Sequence, residues 1–77
     1  MKTNDIKKGT RVKLRNGWEA TIEDNKRGNI RLATVEGFVT EMGSIYSHNI
    51  AAVLVDGKWV HDIELTKSQI NLKEMGW

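Results

Sequence analysis

Residues 9–24 constrain the fold of this chain more than any other segment. Apolar and charged residues alternate on both sides of Asn16-Gly17, which is typical of a two-stranded hairpin with one covered face. A shift of one residue in the strand pairing moves every side chain to the opposite face. The length of the connecting loop therefore decides which residues this hairpin buries.

A three-residue loop fits this hairpin better than a two-residue turn. A two-residue turn at Asn16-Gly17 would divide the apolar residues between both faces of the hairpin. A loop of residues 15–17 collects them on one face and places Gly17 where such loops need a left-handed residue. The predicted apolar pairs are Leu14 with Trp18, Val12 with Ala20, and Thr10 with Ile22. The opposite face then carries Arg11, Lys13, Glu19, Thr21 and Glu23.

The size and composition of the chain limit what it can be. Its 77 residues predict one domain, residues 1–77, with a small core. The chain has no cysteine, which excludes disulfides, thiolate metal sites and a cysteine nucleophile. We expect neither a signal peptide nor a membrane-spanning segment, because residues 1–8 lead into no apolar run and the longest apolar run, residues 50–55, is too short for a bilayer. We expect a soluble, cytoplasmic protein with no membrane partner.

The rest of the chain contains further strand and turn patterns. Residues 51–63 predict a second hairpin, in which Asp56-Gly57 forms a type I′ turn and pairs Leu54 with Trp59. After a turn at residues 25–29, we expect Ile30 to share a face with Ile22. Residues 41–44 resemble another turn, followed by a short strand over 45–48. Thr66 and Gln69 match a helix capping box, which predicts a single 3₁₀ or α turn followed by a short strand or helix.

About five short strands with regularly spaced turns favour an all-β fold, a small antiparallel barrel. The segment Lys8-Gly9-Thr10-Arg11-Val12-Lys13-Leu14, with Gly17, Ala20 and Ile22, resembles the opening hairpin of SH3-like barrels, including KOW-type and Tudor-type modules. A 3₁₀ turn before a last strand, which residues 66–69 would supply, is also similar to SH3-like folds. No second glycine-rich loop follows Gly17, which departs from the KOW pattern. The short, lysine-led chain also resembles small accessory proteins of tailed bacteriophages, which implies a role beside host machinery.

The charge of the chain is unevenly distributed. Residues 1–31 hold nine of the twelve Lys and Arg and four of the ten acids, so the remaining residues are net acidic. Such asymmetry favours an anionic partner for the first half, although a solvated strand face shows the same pattern. The predicted ligand-binding residues are Arg11, Lys13, Arg15, Lys26, Arg27 and Arg31.

Aromatic residues provide the second group of candidates. We expect Trp18 and Trp59 in the core, because large aromatics in a small domain are mostly buried. Phe38 and Tyr46 flank the expected turn at 41–44 and are candidates for partner binding, together with Trp77. The two histidines, His48 and His61, lie in no spacing that predicts a metal site, so we expect no metal, no cofactor and no catalytic residues.

Two functions follow from these patterns. The first is a non-enzymatic module that binds nucleic acid or a nucleotide through the basic hairpin. The alternative is a protein-interaction module or an inhibitor of a host protein, which could also form a homodimer through an exposed strand edge.

Overall fold

The computed structural model describes residues 1–77 and contains one antiparallel sheet of six strands with a short C-terminal helix. The strands are β1 (Arg11–Leu14), β2 (Glu19–Ile22), β3 (Ile30–Glu36), β4 (Thr40–Tyr46), β5 (Ile50–Val55) and β6 (Lys58–Val60), followed by α1 (Lys67–Glu74). Two 3₁₀ turns span Thr3–Asp5 and Ser47–Asn49. The strand order is β4-β3-β2-β1-β5-β6. An all-β fold is therefore confirmed, but the sheet does not close, and a barrel is not confirmed.

The register of the first hairpin is the predicted one. Val12 pairs with Ala20, the Ile22 N–H donates to the Thr10 carbonyl at 2.9 Å, and the Leu14 N–H donates to the Trp18 carbonyl at 2.7 Å. Gly17 has φ +90°, the left-handed region that a three-residue loop requires at this position. One face of the hairpin is consequently apolar and joins the core. The core residues are Ile6, Val12, Leu14, Ala20, Ile22, Ala33, Ile50 and Val53.

The second hairpin also has the predicted pairing. Leu54 pairs with Trp59 and Val53 pairs with Val60. Asp56 and Gly57 have φ values of 50° and 78°, so both central residues are left-handed, as a type I′ turn requires. The prediction that Trp59 is a core residue is wrong. Trp59 is only half-buried on the outer face of the sheet, where the Lys13 Nζ lies 4.5 Å from its ring centroid.

The capping box at Thr66 is present and begins an eight-residue α-helix. The Gln69 N–H donates to the Thr66 hydroxyl at 3.2 Å, and the Thr66 N–H donates to the Gln69 Oε1 at 3.0 Å. The buried Gln69 side chain also accepts a bond from the Thr3 hydroxyl at 2.7 Å. This side chain therefore both caps α1 and fastens it to the first 3₁₀ turn.

Two predictions for the middle of the chain are wrong. Residues 41–44 form no turn, because they lie inside β4, and the turn between β3 and β4 is at residues 37–39. Of the alternatives predicted for residues 66–69, an α turn that continues into a helix is the one observed, and the 3₁₀ turn that precedes a strand is instead Ser47–Asn49, before β5. The phase of β3 is also the reverse of the expected one. Arg31 and Ala33 face inward, and Ile30 is 52% exposed rather than packed against Ile22.

Candidate anion-binding site

The six predicted basic residues occupy three different environments. Arg11, Lys13 and Arg15 belong to the first hairpin, Lys26 and Arg27 lie in the loop between β2 and β3, and Arg31 lies within β3. The structure brings Lys26 and Arg27 to one surface but separates Arg31 from it.

The hairpin cations point outward as predicted, but each contacts another group of the protein. Arg11 forms salt bridges with Glu19, at 3.2 Å from Nε to Oε1, and with Glu36. Burial by itself would lower the pKa of Arg11, but the hydrogen bonds and charges of Glu36 and Glu19 raise it above its ordinary value. Lys13 covers the Trp59 ring. The hairpin face is thus a mixed surface of paired charges rather than a continuous cationic one.

Arg15 lies at the end of the same hairpin and is exposed. Its Nε and Nη2 both donate to the Asn49 Oδ1, at 3.0 and 2.6 Å. Its Nη2 also lies 3.5 Å from the main-chain oxygen of Trp77. No acidic side chain lies within salt-bridge distance of Arg15.

The expectation that Arg31 lies on the outer surface is wrong. Its side chain is 1% exposed and its Nε donates to the Asp24 Oδ1 at 2.8 Å. Its Nη atoms donate to the main-chain oxygens of Thr3, Ile6 and Asp24, at 3.3, 2.6 and 3.2 Å. A buried guanidinium needs this set of acceptors, because an unpaired buried charge is costly. Arg31 therefore holds the fold together and does not face a ligand.

Asp24 is the counter-charge of Arg31 and is itself mostly buried. Burial would raise the pKa of Asp24, but the Leu32 N–H, the Arg31 guanidinium and the Lys26 N–H stabilise its charged form and lower this pKa below 3.8. The carboxylate is thus ionised at neutral pH, and Arg31 neutralises its charge.

The basic loops are a surface where four exposed cations without an ion pair lie close together. We use this name for the four side chains of Lys7, Lys8, Lys26 and Arg27, which are all exposed. None of the salt bridges in the structure includes them. A cleft of about 290 Å³ lies between the two loops and is lined by Asn4, Ile6, Lys7, Asn25 and Arg27. It offers two cations and two amide side chains, with no acidic residue in its lining.

Local hydrogen bonds fix the shape of the basic loops. The Lys8 N–H donates to the Asn25 Oδ1 at 2.9 Å, which joins the N-terminal segment to the loop after β2. The Gly28 N–H donates to the Asn4 Oδ1 at 3.1 Å, and the Lys26 N–H donates to the Asp24 Oδ1 at 3.2 Å. The four cations are therefore carried on anchored main chain, which reduces the entropy lost on binding.

Lys7 and Lys8 were missing from the residues predicted from the sequence. Their position could have been predicted from the register of the first hairpin. Extending the pairing of Thr10 with Ile22 by one step brings Gly9 next to β2, and the Gly9 N–H indeed donates to the Ile22 carbonyl at 2.7 Å. The residues just before Gly9 must then lie beside the loop that follows β2.

The predicted aromatic residues do not form one surface. Phe38 is 96% exposed in the turn between β3 and β4, while Tyr46 is half-buried at the far end of β4. Tyr46 stacks on His48 with ring centroids 5.1 Å apart, and the Trp77 ring centroid lies 6.5 Å from that of Tyr46. Phe38 and Tyr46 are therefore separated by the length of a seven-residue strand.

Trp18 is not the core residue that the hairpin pattern predicts. It is 37% exposed and packs at the tip of the sheet, against the turn between β3 and β4. Its ring lies where a side chain at Gly37 would be, since a Cβ there would come within 2.5 Å of the ring. Its edge contacts Phe38, with ring centroids 5.4 Å apart. The apolar face of the hairpin thus ends before Trp18.

The two histidines lie in different environments on different segments. No three side chains of the metal-binding types come together in one group. The buried His48 places its Nε2 2.6 Å from the main-chain oxygen of Trp77, and His61 is exposed on a different segment. No helix of this structure has the length and apolar character needed to cross a membrane.

No protein-family model matches this chain, and neither a curated protein nor a solved structure does.

Replacement of Arg31 by Met is expected to lower the free energy of unfolding by about 3–5 kcal/mol, because Asp24 would be left buried without its counter-charge. Urea unfolding followed by tryptophan fluorescence measures this loss. Arg27→Met is the matched control and should change stability by less than about 0.5 kcal/mol, because Arg27 is exposed. Equal stability of the two variants would contradict a structural role for Arg31. If R31M does not fold, D24L/R31M should recover stability, since it removes both charges.

The lowered pKa of Asp24 predicts a defined loss of stability in acid. The pKa of Asp24 is lower in the folded protein than in the unfolded chain, so its contribution is fully present above pH 3.8 and disappears as the pH falls through the folded value. In Asp24→Asn this part of the acid dependence should be absent, so the unfolding free energy should fall less steeply below pH 3.8. Asp62→Asn, at an exposed position, should retain the wild-type slope. An unchanged slope in D24N would refute the assignment.

Proposed function

We propose that this chain is a small, non-enzymatic binding module that holds an anionic ligand, nucleic acid or a nucleotide, on its basic loops. The observation that carries the proposal is the contrast between cations. Arg11 and Arg31 are neutralised by acidic partners, whereas Lys7, Lys8, Lys26 and Arg27 form no ion pair, and two of them, Lys7 and Arg27, line a cleft that has no acidic residue in its lining. Cations that the fold does not use remain available for phosphate groups.

The chemistry of the cleft fits a phosphate backbone better than a base-specific ligand. Lys and Arg side chains neutralise phosphates, and the Asn4 and Asn25 amides add neutral hydrogen-bonding groups. No aromatic side chain lines this cleft, whereas binding that depends on base stacking requires exposed aromatic rings. The expected binding is therefore electrostatic, tolerant of sequence and strongly dependent on salt.

We also propose that the fold belongs to the SH3-like barrels. Its support is the chain path: four consecutive strands form a meander, a 3₁₀ turn follows, and β5 then pairs with β1. The composition, without cysteine, agrees with a cytoplasmic location. The resemblance of the sequence to phage accessory proteins supports a role beside host machinery.

Charge reversal in the basic loops provides the direct test. The Lys26→Glu, Arg27→Glu double variant should weaken binding of a fluorescent DNA duplex of about 20 base pairs by about tenfold or more, measured by anisotropy at several salt concentrations. The slope of log K against the logarithm of the salt concentration should also become shallower, by about 0.9 for each duplex phosphate contact that is lost. The matched control is Lys58→Glu, Lys67→Glu, which changes the net charge equally at exposed positions elsewhere.

Two outcomes would contradict the proposal. One is wild-type affinity that does not change with salt. The other is an equal loss in the control variant, because binding would then follow net charge rather than the basic loops.

A second candidate function, binding of a host protein, is favoured by the aromatic tip. This tip consists of Trp18, Phe38 and Val39, and Phe38 is almost fully exposed. A phenylalanine that is 96% exposed contributes little to folding, whereas aromatic residues often anchor protein interfaces.

Replacement of Phe38 by Ser should therefore change the unfolding free energy by less than about 0.5 kcal/mol. A photo-crosslinking amino acid at position 38 should trap a host protein, and one at Lys58 should not. A loss of stability well above this limit in F38S would instead assign Phe38 a structural role.

A further inference from the structure

The free edge of β4 differs from the other edge of the sheet. β6, at the opposite edge, has three residues and begins with Lys58, whereas β4 has seven residues. Proteins normally protect exposed edges with short strands, lysines, prolines or bulges. β4 contains neither lysine nor proline, and it pairs with β3 in an unbroken register. Its outer edge is therefore open to pairing with another strand.

The register of β3 and β4 shows which main-chain groups are free. The Ser47 N–H donates to the Asn29 carbonyl at 2.8 Å, which makes the adjacent pair, Ile30 and Tyr46, a non-hydrogen-bonded pair. By alternation, the N–H and C=O groups of every second residue of β4 point away from β3. These residues are Thr40, Met42, Ser44 and Tyr46.

Two clefts share Ser44, Ile45 and Tyr46 of this strand. Ile45 faces the core, as Leu14 does, whereas Tyr46 pairs with the exposed Ile30 on the opposite face, which assigns the two clefts to different faces of β4. The larger, about 530 Å³, is lined by Ser44, Ile45 and Tyr46 on one wall and by Leu14, Arg15, Asn16 and Asn49 on the other. Arg15 is its only charged residue. The smaller, about 190 Å³, is lined by Ile30, Ser44, Ile45 and Tyr46 and is mostly apolar. The edge therefore has a cationic cleft and an apolar cleft along the same strand.

The other half of β4 carries side chains that complement these clefts. Glu41 is exposed and takes part in no salt bridge. Met42 is 62% exposed on the opposite face of the strand. The Glu41 carboxylate thus has no ion-pair partner, and the Met42 side chain is an apolar group exposed to solvent.

We propose that β4 of a second copy of this chain pairs antiparallel with β4, about a two-fold axis through Gly43. In this register Glu41 lies opposite Ile45 of the second copy, on the face of the cationic cleft, and within reach of Arg15 there. Met42 lies opposite Ser44 of the second copy, on the face of the apolar cleft. By symmetry, Glu41 and Met42 of each copy make these contacts with the other copy, so each contact occurs twice in the dimer.

The register also satisfies the main chain. It places the outward-pointing residues directly opposite one another, Met42 against Ser44 and Thr40 against Tyr46, and so allows about eight inter-strand hydrogen bonds. The two Glu41 side chains lie at opposite ends of the paired strands, so no like charges are juxtaposed. Gly43, at the axis, has open space around the position of a Cβ and places no side chain where the two strands meet.

The inference does not depend on the proposed anionic ligand. None of the four basic-loop residues lines either cleft beside β4. Self-association is measured without nucleic acid, so failure of one proposal leaves the other intact.

Sedimentation equilibrium and native mass spectrometry test the dimer over a wide range of protein concentration. The wild type should associate to a dimer, and Glu41→Arg should weaken this association by about tenfold, because it faces Arg15 with a like charge at both symmetric contacts. Arg15→Glu should have a similar effect. The double variant R15E/E41R should restore association to within about threefold of the wild type. Since Glu41 makes no ion pair in the monomer, the thermal stability of E41R should be unchanged at low concentration.

A second pair of variants tests the strand pairing itself. Met42→Lys places a lysine on the open edge and should also weaken the dimer by about tenfold. Lys58→Glu, on the other edge, should have no effect. Hydrogen exchange of the amides of Met42 and Ser44 should slow as the dimer forms, because these amides are free in the monomer.

The proposal is overturned by a wild type that stays monomeric at the highest concentration. It is overturned equally by a dimer that E41R and M42K leave intact, which would place the interface elsewhere. Failure of the charge-swapped double variant to recover association would contradict the assigned register.

Discussion

The buried ion pair between Asp24 and Arg31 is the interaction on which the rest of the structure depends. One guanidinium binds the Asp24 carboxylate and the main-chain oxygens of Thr3 and Ile6. It thereby joins the N-terminal segment, the loop after β2 and strand β3. Because Ile6 belongs to the core, the same contacts also position an apolar residue.

The basic loops are a consequence of that arrangement. Anchoring the main chain at Thr3 and Ile6 brings Lys7 and Lys8 beside Lys26 and Arg27. Arg31 at the same time neutralises Asp24, the acid nearest to them in the loop. The fold therefore uses one arginine to neutralise an acid and leaves four neighbouring cations without an ion pair. A surface of this kind has a local positive potential that the small net charge of the whole chain does not reveal.

Local patterns in the sequence were sufficient for both hairpins and for the start of the helix. The register of β1 and β2, the type I′ turn at Asp56-Gly57 and the capping box at Thr66 depend on neighbouring residues only, and all three are confirmed. The outward direction of Arg11 and Lys13 followed from the same register. The tip position of Trp18 did not, because it depends on Gly37, a residue of another hairpin.

Two failures had non-local causes. In the pattern Ile30-Arg31-Leu32, strand alternation predicts that the two apolar residues face the core and that Arg31 faces solvent. The opposite orientation is stable because main-chain oxygens of distant residues accept hydrogen bonds from the Arg31 guanidinium. β4 is an edge strand whose residues are largely exposed on both faces, so it lacks the alternation that predicts a strand. Its Gly43-Ser44 sequence resembles a turn because glycine and serine are typical turn residues. Little of the strand is covered, so no run of buried residues counters that resemblance.

The proposed anion binding is assigned to the basic loops and not to the hairpin face. Chemical-shift mapping of the ¹⁵N-labelled protein during titration with a short oligonucleotide tests it most directly. The largest shifts should fall on the amides of Lys7, Lys8, Lys26 and Arg27, and they should diminish as salt is added. Shifts centred on Arg11 and Lys13, with the loop amides unaffected, would contradict it.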